Sequence, residues 1–346
     1  MITTQILAAI FVFGIVVTIH ELGHFIAAKS LGMKVEEFAI GFGSKVFSYR
    51  KGETLYSVRA IPLGGFNKIA GMDPEEELDE RAYLNQPLWS RAIVIVAGSA
   101  MNLILPVLIF FCIYANVGID RPIDDRPIVG EAIVGQSAEE AGLLSNDLIL
   151  MIDGKSVATW SEMIQRFQEC SPDEAVTLLI ERNGNRQELS VTPKYDSQSK
   201  RNLIGISART HLVKVGVLDA AGLAVKQSVY LIKAIAGGLY EMLTGNTAVE
   251  LSGPIGVARV AGDIASSDGI IGLLRFVAFL SINLGLVNLL PIPALDGGHL
   301  LVLLVESIRG KQLNPKQAVR IQMVGVALLL SLFVLVTAQD VFRIFN

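Results

Sequence analysis

The chain alternates between long apolar stretches and shorter polar ones. Four of the apolar stretches are long enough to cross a bilayer, which takes about 20 residues. The first runs from Ile6 to Leu31, the second from Ala92 to Val117, the third from near Leu273 with interruptions to Val305, and the fourth from Ala318 to Thr337. No Lys or Arg precedes Lys29, so the first reads as a span rather than a signal peptide. Residues 218–243 follow another rule. Val225, Val229, Ile232, Leu239 and Met242 recur at helical spacing with Lys226, Lys233 and Glu241 between them, which fits a helix lying in the membrane interface better than the alternative, a fifth span.

A soluble module interrupts the spans over residues 126–195. A strand-like run from Pro127 to Val134 leads through Gly135 to a short helix ending at Ala141-Gly142. A second strand, Leu148 to Ile152, ends in an Asp153-Gly154 turn; Trp160 to Glu169 reads as a helix, and Val176 to Val191 as a hairpin around Asn183-Gly184-Asn185. The fold class is thus a multi-pass α-helical membrane protein with one inserted α+β domain. Its expected parts are 1–117 with two spans, 126–195 the module, 196–272 a connector with the interfacial helix, and 273–346 with the last two spans.

Composition agrees. Hydrophobic residues make up 51% and charged ones 18%, against about a quarter charged in soluble chains. The net charge of −4 offers nucleic acid no basic surface, and two cysteines make neither a disulfide framework nor a spaced metal pair. Charge does set orientation. Lys29, Lys34, Lys45, Arg50 and Lys51 follow the first span, and Arg309, Lys311, Lys316 and Arg320 separate the third from the fourth. By the positive-inside rule both loops are cytoplasmic. Both termini and the 118–272 segment then face outward.

The sharpest chemical signal is His20-Glu21-Leu22-Gly23-His24. On a helix, positions i and i+4 share a face, so both imidazoles can hold one metal while Glu21 stands beside it to take a proton from water. Chance would place this motif in such a composition about 0.0025 times. Ionisable groups inside a span are costly and mark function. The uncharged run Ile6–Ile19 covers 14 residues, about 21 Å of helix, which puts the metal within the bilayer, nearer the cytoplasmic face. A hydrolytic zinc site has three protein ligands plus water. Of the remaining carboxylates in apolar stretches, Glu306 reads as a solvated or paired end residue and Asp340 lies too far outward. Asp296, after the helix-breaking Pro291 and Pro293 and before Gly297-Gly298, is the expected third ligand. Asn288 is placed to hold a substrate backbone or an oxyanion, or to bond between helices. His299 reads as a supporting or structural residue, and Gly98, Ser99, Ala100 and Asn102 as a face for close helix packing.

His20-Glu21-x-x-His24 followed by Asn288-x-x-Pro291-x-Pro293-x-x-Asp296-Gly297, with an outward insert between them, resembles the bacterial site-2 proteases, intramembrane zinc metalloproteases, and among them the regulator of sigma-E protease group. The resemblance implies His20, His24 and Asp296 as ligands of Zn2+ and Glu21 as the catalytic acid and base. It implies that the insert is a PDZ domain, with Ile128, Val129 and Gly130 at its peptide groove. Some members carry two such domains, whereas 118–272 has room for one. It also implies a membrane-reentrant β-hairpin, here fitted by Gly52 to Met72, preceded by the Gly41-Phe42-Gly43 loop. Val58, Ile61, Gly64 and Gly65 of that hairpin are expected to bind an unwound substrate by strand addition. Implied partners are single-span membrane proteins pre-cleaved by another protease, such as anti-sigma factors or remnant signal peptides, in the bacterial inner membrane. The competing expectations are a membrane-anchored zinc protease acting on soluble cytoplasmic chains, and a non-catalytic membrane scaffold bearing a PDZ domain.

Overall fold

Continuous apolar runs fold as helices because only intrahelical bonds satisfy the backbone away from water. The structure, a computed structural model, describes residues 2–72, 80–122, 125–133, 135–196, 201–245 and 253–345. It divides into two compact units, Met1–Tyr114 with Gly216–Asn346, and Ala115–Val215.

In the first unit, α1 (Ile2–Ser30) and α2 (Leu88–Asn116) carry the first two apolar stretches, and α2 begins a turn before its expected start. The third stretch is two helices. α7 (Gly269–Asn288) is long enough to span; α8 (Asp296–Arg309) is not, and the chain between them follows the two prolines. α9 (Pro315–Phe345) is the last. Among the described residues, α1, α2, α7 and most of α9 are long and apolar enough to cross a membrane. The amphipathic segment is α5 (Val217–Leu243), which buries Ala220, Ala224 and Ser228 and exposes Val225 and Val229. A helix not foreseen, α6 (Pro254–Ser267), follows it and packs on α1. Its N-terminal amides are capped from far along the chain: Asp340 on α9 accepts from Gly253 N at 3.1 Å and from Gly256 N at 2.8 Å.

The hairpin expected over 52–72 is longer and starts earlier. Its strands are β1 (Val35–Lys51) and β2 (Thr54–Ile69), so residues 52–72 hold only the turn and the returning arm. Each strand doubles back on itself. Glu37, Phe38, Ala39 and Ile40 face Lys68, Asn67, Phe66 and Gly65 on one side; on the other they lie beside Leu55, Tyr56, Ser57 and Val58, with numbers rising together. The outer half of β1 pairs back on β2, from Phe47 with Val58 to Lys51 with Thr54. The folds occur at Gly41 (φ 88°) and Gly64 (φ 108°), where a side chain would be strained. Stretch 65–69 is left at one edge, against α1. At the hairpin turn, hydrogen bonds from Arg81 and Lys29 hold the Glu53 carboxyl below the usual carboxylate range.

The second unit is larger than the expected module. It starts with β3 (Ile119–Pro122), β4 (Val129–Ala132) and the single turn α3 (Ser137–Glu140). β5 (Leu148–Ile152), β6 (Lys155–Ser156), β7 (Val176–Arg182) and β8 (Asn185–Val191) form a sheet in the order β6-β5-β7-β8. The helix α4 (Trp160–Glu169) is capped by Thr159 and Glu162 in a reciprocal box and lays Met163 and Phe167 among Ile149, Leu178 and Ile180. From the end of the expected module onward the chain adds β9 (Lys194–Asp196), β10 (Arg201–Leu203), β11 (Ile206–Ala208) and β12 (Thr210–Val213). β11 pairs with β4 and β12 with β3, so the unit closes on residues assigned from sequence to a connector. Val134, where the first strand was expected to end, lies outside the described residues.

Candidate metal centre

On α1 the buried residues Ala9, Val12, Val16, His20, Gly23, His24 and Ala28 form one stripe. Both histidines therefore face protein while Ile2, Ile6, Leu7 and Ile26 face outward, as ionisable groups in a span require. α2 lies against that stripe. A Cβ on Gly23 would strike the Ala97 carbonyl, and one on Gly98 would strike both imidazoles, so each glycine is needed for the approach.

The third group comes from the break between α7 and α8. Ala294 takes a left-handed conformation (φ 73°), and a Cβ on Gly297 or Gly298 would strike the carbonyls of Leu290 or Ile292. This tight turn brings Asp296, the first residue of α8, to the histidines. His20 Nε2 and His24 Nε2 are 3.2 Å apart; Asp296 Oδ2 is 3.4 Å from the first and Oδ1 3.6 Å from the second. Ligands about 2.0–2.1 Å from a tetrahedral zinc are separated by roughly 3.4 Å. The separation of the two imidazole nitrogens, and that of each from its nearer Asp296 oxygen, lie close to that figure. The chemistry of the set agrees: His24 Nδ1 lies 2.7 Å from the Val94 carbonyl and must donate to it, which leaves the Nε2 lone pair pointing at the common centre. His20, His24 and Asp296 thus fit a zinc ion.

Around them lies a cavity of about 270 Å³ lined by His20, Glu21, His24, Asn67, Asn288 and Asp296, with apolar walls from Ile69, Met72, Ala294 and Leu295. Asn67 Nδ2 donates to Glu21 Oε2 at 2.8 Å and also to the Glu21 carbonyl. Asn288 Nδ2 is 3.4 Å from His20 Nε2. Ser99 donates to Asp296 Oδ2 at 3.2 Å, Asn102 Nδ2 lies 3.3 Å from His20 Nδ1, and Ser281 donates to the Asn102 carbonyl at 2.8 Å. The four-residue packing face read on α2 from sequence is therefore also a polar support for the ligands. Asn67 carried no signal in the sequence.

Five expected residues, His20, Glu21, His24, Asn288 and Asp296, come together. Val58, Ile61, Gly64 and Gly65 do not line this cavity. Val58 is paired on both sides, with Ile40 and with Phe47, and offers no free strand edge; Ile61 pairs with Phe42, Gly65 with Ile40, and Gly64 packs on Phe42 and Val17. The hairpin residues that reach the cavity are Asn67 and Ile69. In the second unit, Val129 is fully buried in the core, Ile128 bridges to Leu148, and a Cβ on Gly130 would strike the Ala208 carbonyl. Val129 thus faces the core, while Ile128 and Gly130 are half-buried. His299 lines a neighbouring chamber with Arg91 and Glu306, and Glu306 is the partner of Arg91 in a buried ion pair at 2.9 Å.

The profile of peptidase family M50 matches residues 8–332. The chain is similar to Regulator of sigma-W protease RasP of Bacillus subtilis, 32% identical over 426 residues covering 100% of each, and to Zinc metalloprotease RasP of Geobacillus kaustophilus, 32% identical over 99% of this chain and 98% of that one. A relative from Clostridium acetobutylicum is 37% identical over 97% of both chains. Among solved structures, the PDZ domain of an SdrC-like protein from Listeria monocytogenes is 18% identical at a TM-score of 0.22, covering 25% of this chain and 90% of that one.

Proposed function

This chain belongs to peptidase family M50 and is a zinc metalloprotease of the membrane; from that premise we propose that it hydrolyses a peptide bond within or beside the transmembrane segment of a membrane-protein substrate. The observation that carries the reading is the convergence of His20, His24 and Asp296 from an apolar helix and a broken one. His20, His24 and Asp296 would hold the zinc ion, which when bound would supply Lewis-acid chemistry: a more acidic water and a polarised scissile carbonyl. Glu21 takes the proton and returns it to the leaving amine. Asn67 fixes one oxygen of Glu21 and leaves the other to move the proton. Asn288 presents an amide N–H beside His20, where it can hold the substrate carbonyl or the charge developing on it.

A helical substrate hides its carbonyls and must unwind first. Stretch 65–69 of the hairpin is a strand edge from which Asn67 and Ile69 reach the cavity, which supports strand addition there rather than at Val58 or Ile61. By analogy with a protease named for sigma-W regulation, the substrates are single-span regulators such as anti-sigma factors, trimmed beforehand by another protease, or remnant signal peptides. The unit 115–215 serves as a PDZ-like domain outside the bacterial inner membrane, and the basic loops face the cytoplasm.

The test compares wild type with Glu21→Gln on a single-span substrate in detergent micelles, with and without a zinc chelator. Cleavage by wild type alone, abolished by the chelator and restored by zinc, is expected. Equal product from both proteins, or cleavage only of a soluble chain, overturns the reading.

A further inference from the structure

His24 and His20 bind one centre through the same ring nitrogen, yet their outer nitrogens are held differently. His24 Nδ1 meets a backbone carbonyl, which only accepts, so its tautomer is fixed by the fold. His20 Nδ1 meets the side-chain amide of Asn102, which can donate from Nδ2 or accept at Oδ1, and the Gly98 carbonyl also accepts from the His20 ring. With Nδ2 turned to the ring, the imidazole would carry its hydrogen on Nε2, facing His24 and Asp296, and could not ligate. With the amide rotated by half a turn, Oδ1 accepts from Nδ1–H and the Nε2 lone pair is free. The two ends of an amide have nearly the same shape, so this rotation needs no repacking.

We propose that Asn102 is the positioning residue of the metal centre, accepting at Oδ1 the Nδ1–H of His20 and so setting the tautomer in which His20 binds zinc. Three observations carry it. Asn102 is fully buried, so water does not compete for the ring nitrogen. Its Oδ1 has no other partner to give up. Its backbone carbonyl is anchored by Ser281 of α7, and on the same face of α2 Ser99 holds Asp296 and Val94 holds His24. One helix thereby orients all three ligands through three different groups. Losing such an outer contact typically costs 10–100-fold in metal affinity.

The inference rests on the zinc reading above, and the experiment separates the two. Zinc per chain and its release to a chelator are measured on full-length protein in micelles, together with the visible spectrum of the Co2+-loaded form. The variants are Asn102→Leu, similar in size and unable to bond, and Asn102→Asp, which as a carboxylate can only accept. Expected are a 10–100-fold faster loss of zinc and an altered Co2+ spectrum for Asn102→Leu, with Asn102→Asp within a few-fold of wild type. Asn102→Leu that keeps zinc like wild type overturns the assignment, as does Asn102→Asp that loses zinc as Asn102→Leu does. Should Asn102→Leu fail to fold, Asn102→Asp decides alone: retention supports an accepting role and loss refutes it. Wild type that held no zinc would instead refute the reading of the site itself.

Discussion

Glu21 must stand close to the ligands without becoming one, and Asn67 is the group that enforces the distinction. Its amide donates to Oε2 and to the Glu21 carbonyl, tying side chain and backbone of one residue to the hairpin. Replacing Asn67 by Leu leaves the carboxylate free to swing toward the metal. A kcat lower by about 10–100-fold with little change in KM is expected, part of the total that a positioned acid-base group supplies; steady-state cleavage in micelles measures it. Unchanged kcat would mean that Glu21 needs no such tether. The ligands and Glu21 were legible in the sequence because a helix converts spacing directly into proximity. Asn67 and the ligand-facing role of Asn102 were not, since each is a lone amide whose neighbour lies far along the chain: Asn67 is 46 residues from Glu21 and Asn102 is 82 from His20.

At the scale of elements, α2 is the template on which the centre is assembled. Gly98 is its closest point, where there is no room for a methyl group between the α2 backbone and the two rings. Gly98→Ala is expected to fold yet lose zinc, because a rigid Cβ must push both imidazoles out of the positions that fit the metal. Metal content after purification, beside thermal unfolding, checks this; a zinc-loaded Gly98→Ala would show that α1 and α2 can move apart at no cost. Sequence patterning caught the long apolar helices and strands β4, β5, β7 and β8 of the inserted unit, whose turns at Asp153-Gly154 and Asn183-Gly184 do take left-handed conformations, but not β3 or β9–β12 that close it. It missed the first arm of the hairpin. Glu36, Glu37, Lys45, Arg50 and Lys51 break the apolar signal there, and the charge of Glu37 is met by Ser57 at 2.7 Å and Arg59 at 2.8 Å on β2 and by Lys45 at 3.6 Å on the outer half of β1. It also ran the third span through Pro291 and Pro293, where the chain stops one helix and starts another.

For the molecule as a whole, carboxylates far from the metal explain how the helical unit is braced. Arg91 and Glu306, both almost fully buried, join α2 to α8, and Glu306 also accepts from Leu313 N at 2.9 Å, closing the loop toward α9. Asp340 joins α9 to the start of α6. Removing either partner of the Arg91–Glu306 pair strands the other charge, and Asp340 is spent on backbone amides, which is why both carboxylates read as structural. The orientation of this assembly is a separate matter, set by charge. If the basic loops stay in the cytoplasm, the β7–β8 turn and the α8–α9 loop lie on opposite sides of the membrane. Asn183 and Lys311 are exposed in those two loops. In a background with Cys112→Ser and Cys170→Ser, a membrane-impermeant maleimide is expected to label Asn183→Cys in intact spheroplasts and Lys311→Cys only after lysis. The reverse pattern would invert the topology and put the insert in the cytoplasm. Labelling of both before lysis would break the four-span parity, since an even number of crossings returns both termini to one side and an odd number does not.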